Sequence, residues 1–261
     1  METNCKTSQK NTSTNKSLLS DYDLLANLFM YPLDETYPNK IREIHAYLST
    51  YLPEAAAVMY NFIEFTHASS LRDMQELFLR SFDLQAITTL DIGFILFGED
   101  YKRGQLLVGL NQEHQAAGND CKTELSDHLP NVLRLLPKMK DFTMRNEIAT
   151  RLVIPAVIKM KNEFDADKIE KKDVIYKKHL KLILDFSTQY RTVYQTLLEA
   201  LFLILKNDFN CAEETIVKEK ESGEKDKSSC SCNTAEHVYT QGIGDATDFS
   251  QKIESEILTE K

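Results

Sequence analysis

The stretch from Arg80 to Leu136 constrains the fold more than any other part of the chain. Ile87–Phe97 is apolar nearly all round, which predicts a buried helix closed by Gly98 at a C-terminal cap position. Glu99–Ala117 predicts a longer helix that ends at Gly118, because glycine enters the left-handed backbone region without steric cost. The chain has only 8 glycines and 6 prolines, which suits helices and disfavours a turn-rich β fold, so an all-α protein is predicted.

A further helix is predicted to follow Ser126, which is a suitable N-cap with Asp127 at the helix start. Pro130 is compatible with the first turn, where backbone amides have no intrahelical partner. Asp127 and His128 are then expected at the N-terminal end of that helix, where outward-pointing amides can receive a ligand. The buried stripe of this helix comprises Leu129, Val132, Leu133 and Leu136.

The remaining pattern predicts one all-helical domain over residues 17–210, with short connections typical of a helical bundle. Apolar stripes predict helices near residues 18–30, 39–51, 53–67, 70–78, 142–164, 169–186 and 188–206, with Ser20 and Ser69 or Ser70 as caps and a kink at Pro155. Asp83 is expected to cap Leu84 onward or to face a basic peptide. Residues 1–16 and 211–261 are predicted to be disordered, except for a short amphipathic helix over 248–258.

At the central stretch the sequence resembles a known family. The resemblance is carried by Phe82-Asp83, Leu96-Phe97-Gly98, Arg103-Gly104, Asn111, His114, Ala117-Gly118 and Glu124-Leu125-x-Asp127-His128-Leu129-Pro130. This run is similar to the assembly chaperones of respiratory nitrate reductase (the NarJ type), within the TorD/DmsD group of molybdoenzyme maturation proteins. The Asp127-His128-Leu129 element matches the Asp-His motif of that group, and the resemblance covers about residues 18–162.

The resemblance implies an all-α, TorD-like cytoplasmic chaperone that is not an enzyme. Such proteins bind the N-terminal peptide of an apo catalytic (alpha) subunit while the molybdenum cofactor is inserted, and they delay docking to the membrane partner. The chaperone itself is expected to hold no permanent cofactor. We place the expected peptide-binding cleft near Asp83, Tyr101, Arg103, Asp127 and His128, with apolar anchors inside and acids at the rim.

Charge argues against a nucleic-acid partner, because the chain has a formal charge of −9 and phosphates demand a basic surface. Twelve acidic residues and six lysines lie from Glu213 onward, so most of the excess belongs to the tail and the body is only mildly acidic. The polar N-terminus indicates no signal peptide, and the longest apolar run, Ala200–Leu205, is far too short to span a bilayer.

Two alternatives remain open. A small helical enzyme would use Asp127 and His128 as acid–base groups, although no nucleophile signature accompanies them. A metal carrier would use cysteine and histidine residues, Cys230 and Cys232 with His237 being the nearest to a ligand set. Gly98 and Gly104 do not form a phosphate loop, because Gln105 stands where that motif needs lysine. No disulfide framework is indicated by the five cysteines.

Overall fold

Eleven named α-helices account for most of residues 17–84, 86–172 and 190–209, which are the residues that the computed structural model describes. They are α1 Tyr22–Leu25, α2 Tyr37–Tyr51, α3 Pro53–Val58, α4 Tyr60–Ala68, α5 Leu71–Phe82, α6 Ile92–Phe97, α7 Tyr101–Ala116, α8 Leu129–Leu135, α9 Phe142–Glu147, α10 Ile154–Glu163 and α11 Val193–Phe209. The predicted all-α, single-domain fold is confirmed. The predictions for residues 1–16 and 211–261, including the helix over 248–258, and for most of the helix over 169–186 lie outside the described residues.

The core is organised around α11, which packs against α3, α4 and α10. Eight of its side chains are buried, and Tyr194 lies among the aromatic rings of three other residues. The ring centroids of Phe62, Phe78 and Phe82 lie 5.1, 6.0 and 4.9 Å from that of Tyr194. This aromatic cluster joins α4 and α5 to α11, and it fixes the C-terminal end of α5 beside the candidate site.

The start of α5 follows the predicted capping chemistry. The Ser70 hydroxyl accepts a hydrogen bond from the Asp73 amide at 3.3 Å, and the Asp73 carboxylate accepts one from the Ser70 amide at 3.0 Å. Two otherwise unpaired first-turn donors are thereby satisfied. Of the two serines predicted as caps, Ser70 is therefore the one that performs the role.

The prediction of one buried helix over Ile87–Phe97 is wrong in its first half. The Ile87 and Thr88 amides donate to the carbonyl oxygens of Arg80 and Ser81 at 3.2 and 3.0 Å, so this segment pairs with the end of α5. The helical part, α6, begins only at Ile92. Asp83 is the C-cap of α5 rather than the cap of a following helix, because the chain turns away from helical geometry there.

The glycine boundaries are confirmed at Gly98 and Gly118, which have φ values of 63° and 62°. Both follow the last turns of α6 and α7, where a left-handed residue terminates the helical hydrogen-bond pattern. The kink or break predicted at Pro155 corresponds to a change of helix type just before this residue. It takes the form of a π-helical segment over Ile148–Val153, between α9 and α10.

Other boundaries are shifted. The first predicted helix is a succession of short turns, namely 3₁₀ turns at Leu19–Asp21 and Ala26–Phe29 on either side of α1. The third divides at Met59 into α3 and α4, and the last begins at Val193. Within the described ranges, no helix has the length and apolar character required to cross a membrane.

Candidate functional site

Two loop segments meet beside α6 and α7 and are paired through their backbones. The Ile92 amide donates to the Asp127 carbonyl oxygen at 2.9 Å, and the Leu129 amide donates to the Leu90 carbonyl oxygen at the same distance. These bonds form an isolated antiparallel bridge between Asp91 and His128. The bridge brings Asp127 and His128 against the start of α6. The sequence predicted only that these two residues lie at the N-terminal end of α8.

The Asp127 side chain is buried completely rather than exposed at a helix N-terminus. Its Oδ2 accepts hydrogen bonds from the Gly93 amide at 3.1 Å and from Arg103 Nε at 3.3 Å. Burial raises the pKa of the Asp127 carboxyl, and the negative charge of Asp91 raises it further, while Arg103 and the Gly93 amide act in the opposite direction. Asp127 therefore links α6 to α7 from inside the protein.

Ser126 also differs from its predicted role. Its hydroxyl donates to the Leu107 carbonyl oxygen at 3.1 Å, and α8 begins at Leu129 with His128 in the N-cap position and no side-chain cap. The hydroxyl therefore holds the loop to α7 instead of capping α8. The sequence pattern identified Ser126 as a polar residue ahead of an apolar helix. It could not show that the Ser126 hydroxyl donates to Leu107 on another helix.

The Asp91 carboxylate contacts both Arg103 and His128, one through each of its oxygens. Its Oδ2 accepts a hydrogen bond from Arg103 Nη2 at 3.1 Å, and its Oδ1 lies 3.1 Å from His128 Nδ1. The hydrogen bond with His128 holds the pKa of Asp91 below its usual value, and the charges of His128 and Arg103 add to the effect, against the cost of burial. We name the set Asp91, Arg103, Asp127 and His128 the charged cluster.

A buried histidine holds the loop that carries half of this cluster. His114 Nε2 donates to the Ser126 carbonyl oxygen at 3.0 Å, so Nδ1 is the acceptor for the Asn119 amide at 2.9 Å. Asn119 also donates to the Asn131 carbonyl oxygen at 3.2 Å and accepts from Lys138 Nζ at 2.7 Å. Burial lowers the pKa of His114, which favours the neutral imidazole that this arrangement requires.

A cleft of about 960 Å³ lies on one side of the charged cluster, and we call it the larger cleft. Its apolar wall includes Phe82, Ile87, Phe94 and Ile95, and its charged residues are Asp83, Asp91, Arg103, Lys159, Glu163, Lys168 and Lys172. The Arg103 guanidinium lies 5.4 Å from the centroid of the Phe94 ring, which is 41% exposed. The cleft therefore combines an accessible aromatic surface with charged groups of both signs.

A second cleft of about 460 Å³, the smaller cleft, lies on the other side. His128 and Arg134 line it together with aromatic residues from the first helical segment and α5. The two clefts share Phe82, Asp83, Thr89 and Asp91 as a common wall. The loop between α5 and α6 thus separates them.

The five residues predicted to bind a client peptide are not all brought together. Asp83 and Arg103 line the larger cleft, Asp83 and His128 line the smaller one, and Asp127 lies buried behind Arg103. Tyr101 is 80% exposed at the start of α7 and belongs to neither cleft. The expected acidic rim is instead a mixture of carboxylates and lysines.

Sequence reasoning missed Asp91 and Gly93, because both were assigned to a continuous buried helix. A carboxylate in the middle of an otherwise apolar run was the available signal, since an ionised group is buried only with a partner. Asp127 and His128 were considered as an acid–base pair, but the side chain that contacts His128 is Asp91. Asp127 and His128 are adjacent in the chain, but the Asp127 side chain contacts Arg103 and the His128 side chain contacts Asp91.

The described part of the chain contains no group of three or more histidine, cysteine, aspartate or glutamate side chains that could hold a metal ion. Cys121 is a free cysteine whose pKa is raised by burial and by the neighbouring Asp120. Cys230, Cys232 and His237 lie outside the described residues.

No protein-family model matches the chain, and no match to a curated protein sequence was found.

Proposed function

We propose that this protein is a cytoplasmic chaperone, not an enzyme, for the apo catalytic subunit of a respiratory nitrate reductase or a related molybdoenzyme. It binds an N-terminal segment of that subunit while the molybdenum cofactor is inserted, and it binds no cofactor permanently. The resemblance of the central stretch supports this proposal. The observation that carries it is the larger cleft, since the motif residues Asp83 and Arg103 lie in its wall.

The proposed binding mode is the insertion of an amphipathic client helix into the larger cleft. Phe94 and Ile95 of α6 supply apolar contacts, and the open cleft leaves their surface accessible to a ligand. Helix-in-groove recognition uses such apolar anchors and takes its orientation from charges at the rim. Arg103 is suited to set that orientation, because Asp91 and Asp127 hold its guanidinium in one place.

The charged cluster fits a structural support better than an acid–base catalyst. Asp127 has no solvent access, and the contacts of Arg103 with two carboxylates hold it against the cleft wall. A pair that positions a proton for catalysis needs access to a reacting group. His128 and Asp91 are accessible from the smaller cleft. An acid–base activity of this pair is therefore the alternative to a chaperone function.

The experiment is to remove the gene from an organism that makes its nitrate reductase and to restore it as wild type or as a variant. Phe94→Asp is expected to reduce the molybdenum cofactor content of the catalytic subunit strongly, because a carboxylate enters the apolar wall of the cleft. Phe142→Asp is the matched control, since Phe142 is 67% exposed on α9 and lines neither cleft.

Normal cofactor insertion in the strain without the gene would overturn the proposed function. Full activity of Phe94→Asp, with loss of activity in the control, would place the client elsewhere on the surface. The His128→Gln variant tests the enzymatic alternative, because loss of activity with intact client binding would indicate chemistry at the smaller cleft. The free energy of unfolding of each variant is measured alongside.

A further inference from the structure

Three lysines line one side of the larger cleft, and two of them share a single carboxylate. Lys168 and Lys172 contact the two oxygens of Glu163, each at 2.8 Å, and the exposed Lys159 lines the same wall. This wall is formed by α10 and the helical residues 166–172, and Lys172 also donates a hydrogen bond to the Ile87 carbonyl oxygen in the loop between α5 and α6. Positive charge therefore remains available there, next to the apolar surface of Phe94 and Ile95.

The C-terminal part of the same chain has the complementary sequence. Phe249, Ile253 and Ile257 recur at every fourth position, so they would share one face of a helix with 3.6 residues per turn. On that helix Glu254 and Glu256 would flank the apolar stripe on its two sides. An apolar stripe bordered by carboxylates fits the side of the cleft where Lys159, Lys168 and Lys172 lie, whereas the cleft acids Asp83 and Asp91 belong to the segment between α5 and α6.

The length of chain between the two partners allows them to meet. The described structure ends at Phe209, the last residue of α11, and residues 210–247 precede the amphipathic segment. Each residue of an extended chain spans about 3.3 Å, so this length can reach any point on the surface of the domain. A tethered segment also has a high effective concentration, and weak complementary contacts are therefore sufficient for docking.

We propose that residues 248–258 dock as an amphipathic helix in the larger cleft of their own chain. Phe249, Ile253 and Ile257 contact the apolar wall, and Glu254 and Glu256 pair with the lysines of α10 and of residues 166–172. The docking does not depend on the proposed chaperone function.

The test uses the full-length chain with a photo-crosslinking phenylalanine analogue in place of Phe94. Irradiation followed by mass spectrometry is expected to give crosslinks to peptides that contain residues 248–258. The same analogue in place of Phe142 is the control position and should give none. A mixture of isotope-labelled and unlabelled chains distinguishes crosslinks within one chain from those between two copies.

Two sets of variants test whether the apolar face of the tail and the charges of both partners are needed for docking. Phe249→Ser, Ile253→Ser and Ile257→Ser together should abolish the crosslink, whereas Ile216→Ser with Val217→Ser in the same tail should not. Lys159→Glu with Lys168→Glu should lower the docking equilibrium constant about tenfold, because two exposed ion pairs become repulsive. Adding Glu254→Lys and Glu256→Lys to that variant should restore the crosslink.

The proposal is overturned if Phe94 gives no crosslink to the tail, if the triple serine variant crosslinks as well as wild type, or if the crosslinks join two copies. None of these outcomes bears on the proposed chaperone function, which is tested by cofactor insertion into the client. Conversely, a failure of the chaperone proposal leaves the intrachain crosslink unchanged.

Discussion

At the scale of single residues, Gly93 decides how closely α6 approaches α7. A Cβ atom at this position would lie 2.7 Å from Asp127 Oδ2, 3.1 Å from Leu106 Cδ2 and 3.2 Å from Arg103 Cγ. Asp127 cannot retreat easily, because its carboxylate is buried and bonded to the Gly93 amide itself. The absence of a side chain at Gly93 is therefore a condition for the charged cluster to form.

The Gly93→Ala variant should lower the free energy of unfolding by about 1–3 kcal/mol, as expected when a methyl group is forced into a packed site. Gly104→Ala is the matched control, because nothing lies within 4 Å of a Cβ atom there. It should stabilise α7 by about 0.5–1 kcal/mol, since alanine is the better helix former. Urea unfolding of both variants measures the difference, and equal stabilities would contradict the close approach.

At the scale of elements, the helices are positioned by end contacts as well as by apolar stripes. The Ser70 capping box starts α5, and Gly98 and Gly118 follow α6 and α7. Each of these features depends on residues within one or two turns of the helix end. Local sequence therefore carries enough information to locate them.

The Ser70→Ala variant should lower the free energy of unfolding by about 1 kcal/mol, because the Asp73 amide loses its acceptor. The neighbouring Ser69→Ala change is the control and should have a much smaller effect, since Ser69 takes no part in the capping box. Thermal unfolding monitored by circular dichroism compares the two. A larger loss at Ser69 would mean that α5 begins elsewhere in solution.

The parts of the site that could not be predicted are those formed by contacts between distant residues. Ile87 and Thr88 have apolar or β-branched side chains compatible with a buried helix, but their amides bind the carbonyl oxygens at the end of α5. Ser126 has the composition of a cap, but its hydroxyl reaches Leu107 on another helix. In both cases the partner belongs to a different helix, and the hydrogen bond that it supplies is not part of the local helical pattern.

At the scale of the whole molecule, the buried polar cluster of His114 makes stability depend on pH. Burial lowers the pKa of His114 in the folded state, so the unfolded chain binds a proton first as the pH falls. The stabilising contribution of the neutral imidazole is thus complete above the unfolded pKa of about 6.5 and is lost as the pH falls through the folded value. The Asp91 carboxyl, whose folded pKa is also lowered, contributes in a separate window below about pH 4.

His114→Gln should remove much of the stability loss that begins as the pH falls below about 6.5, a slope of at most about 1.4 kcal/mol per pH unit for one proton. Glutamine keeps an amide donor for the Ser126 carbonyl oxygen but does not titrate. His67→Gln, exposed on α4, should leave the slope unchanged. Urea unfolding at several pH values provides the measurement, and an unaltered slope in His114→Gln would assign the pH dependence to another group.

The distribution of the cleft walls along the chain has a consequence for synthesis on the ribosome. The larger cleft takes one wall from residues 82–103 and the other from residues 159–172, whereas the last lining residue of the smaller cleft is Arg134. Contacts between such separated segments form only after the intervening chain is available. A growing polypeptide therefore presents every lining residue of the smaller cleft before those of the larger one. Both clefts reach their final form only after α11, since its Tyr194 packs against Phe82, which lines both of them.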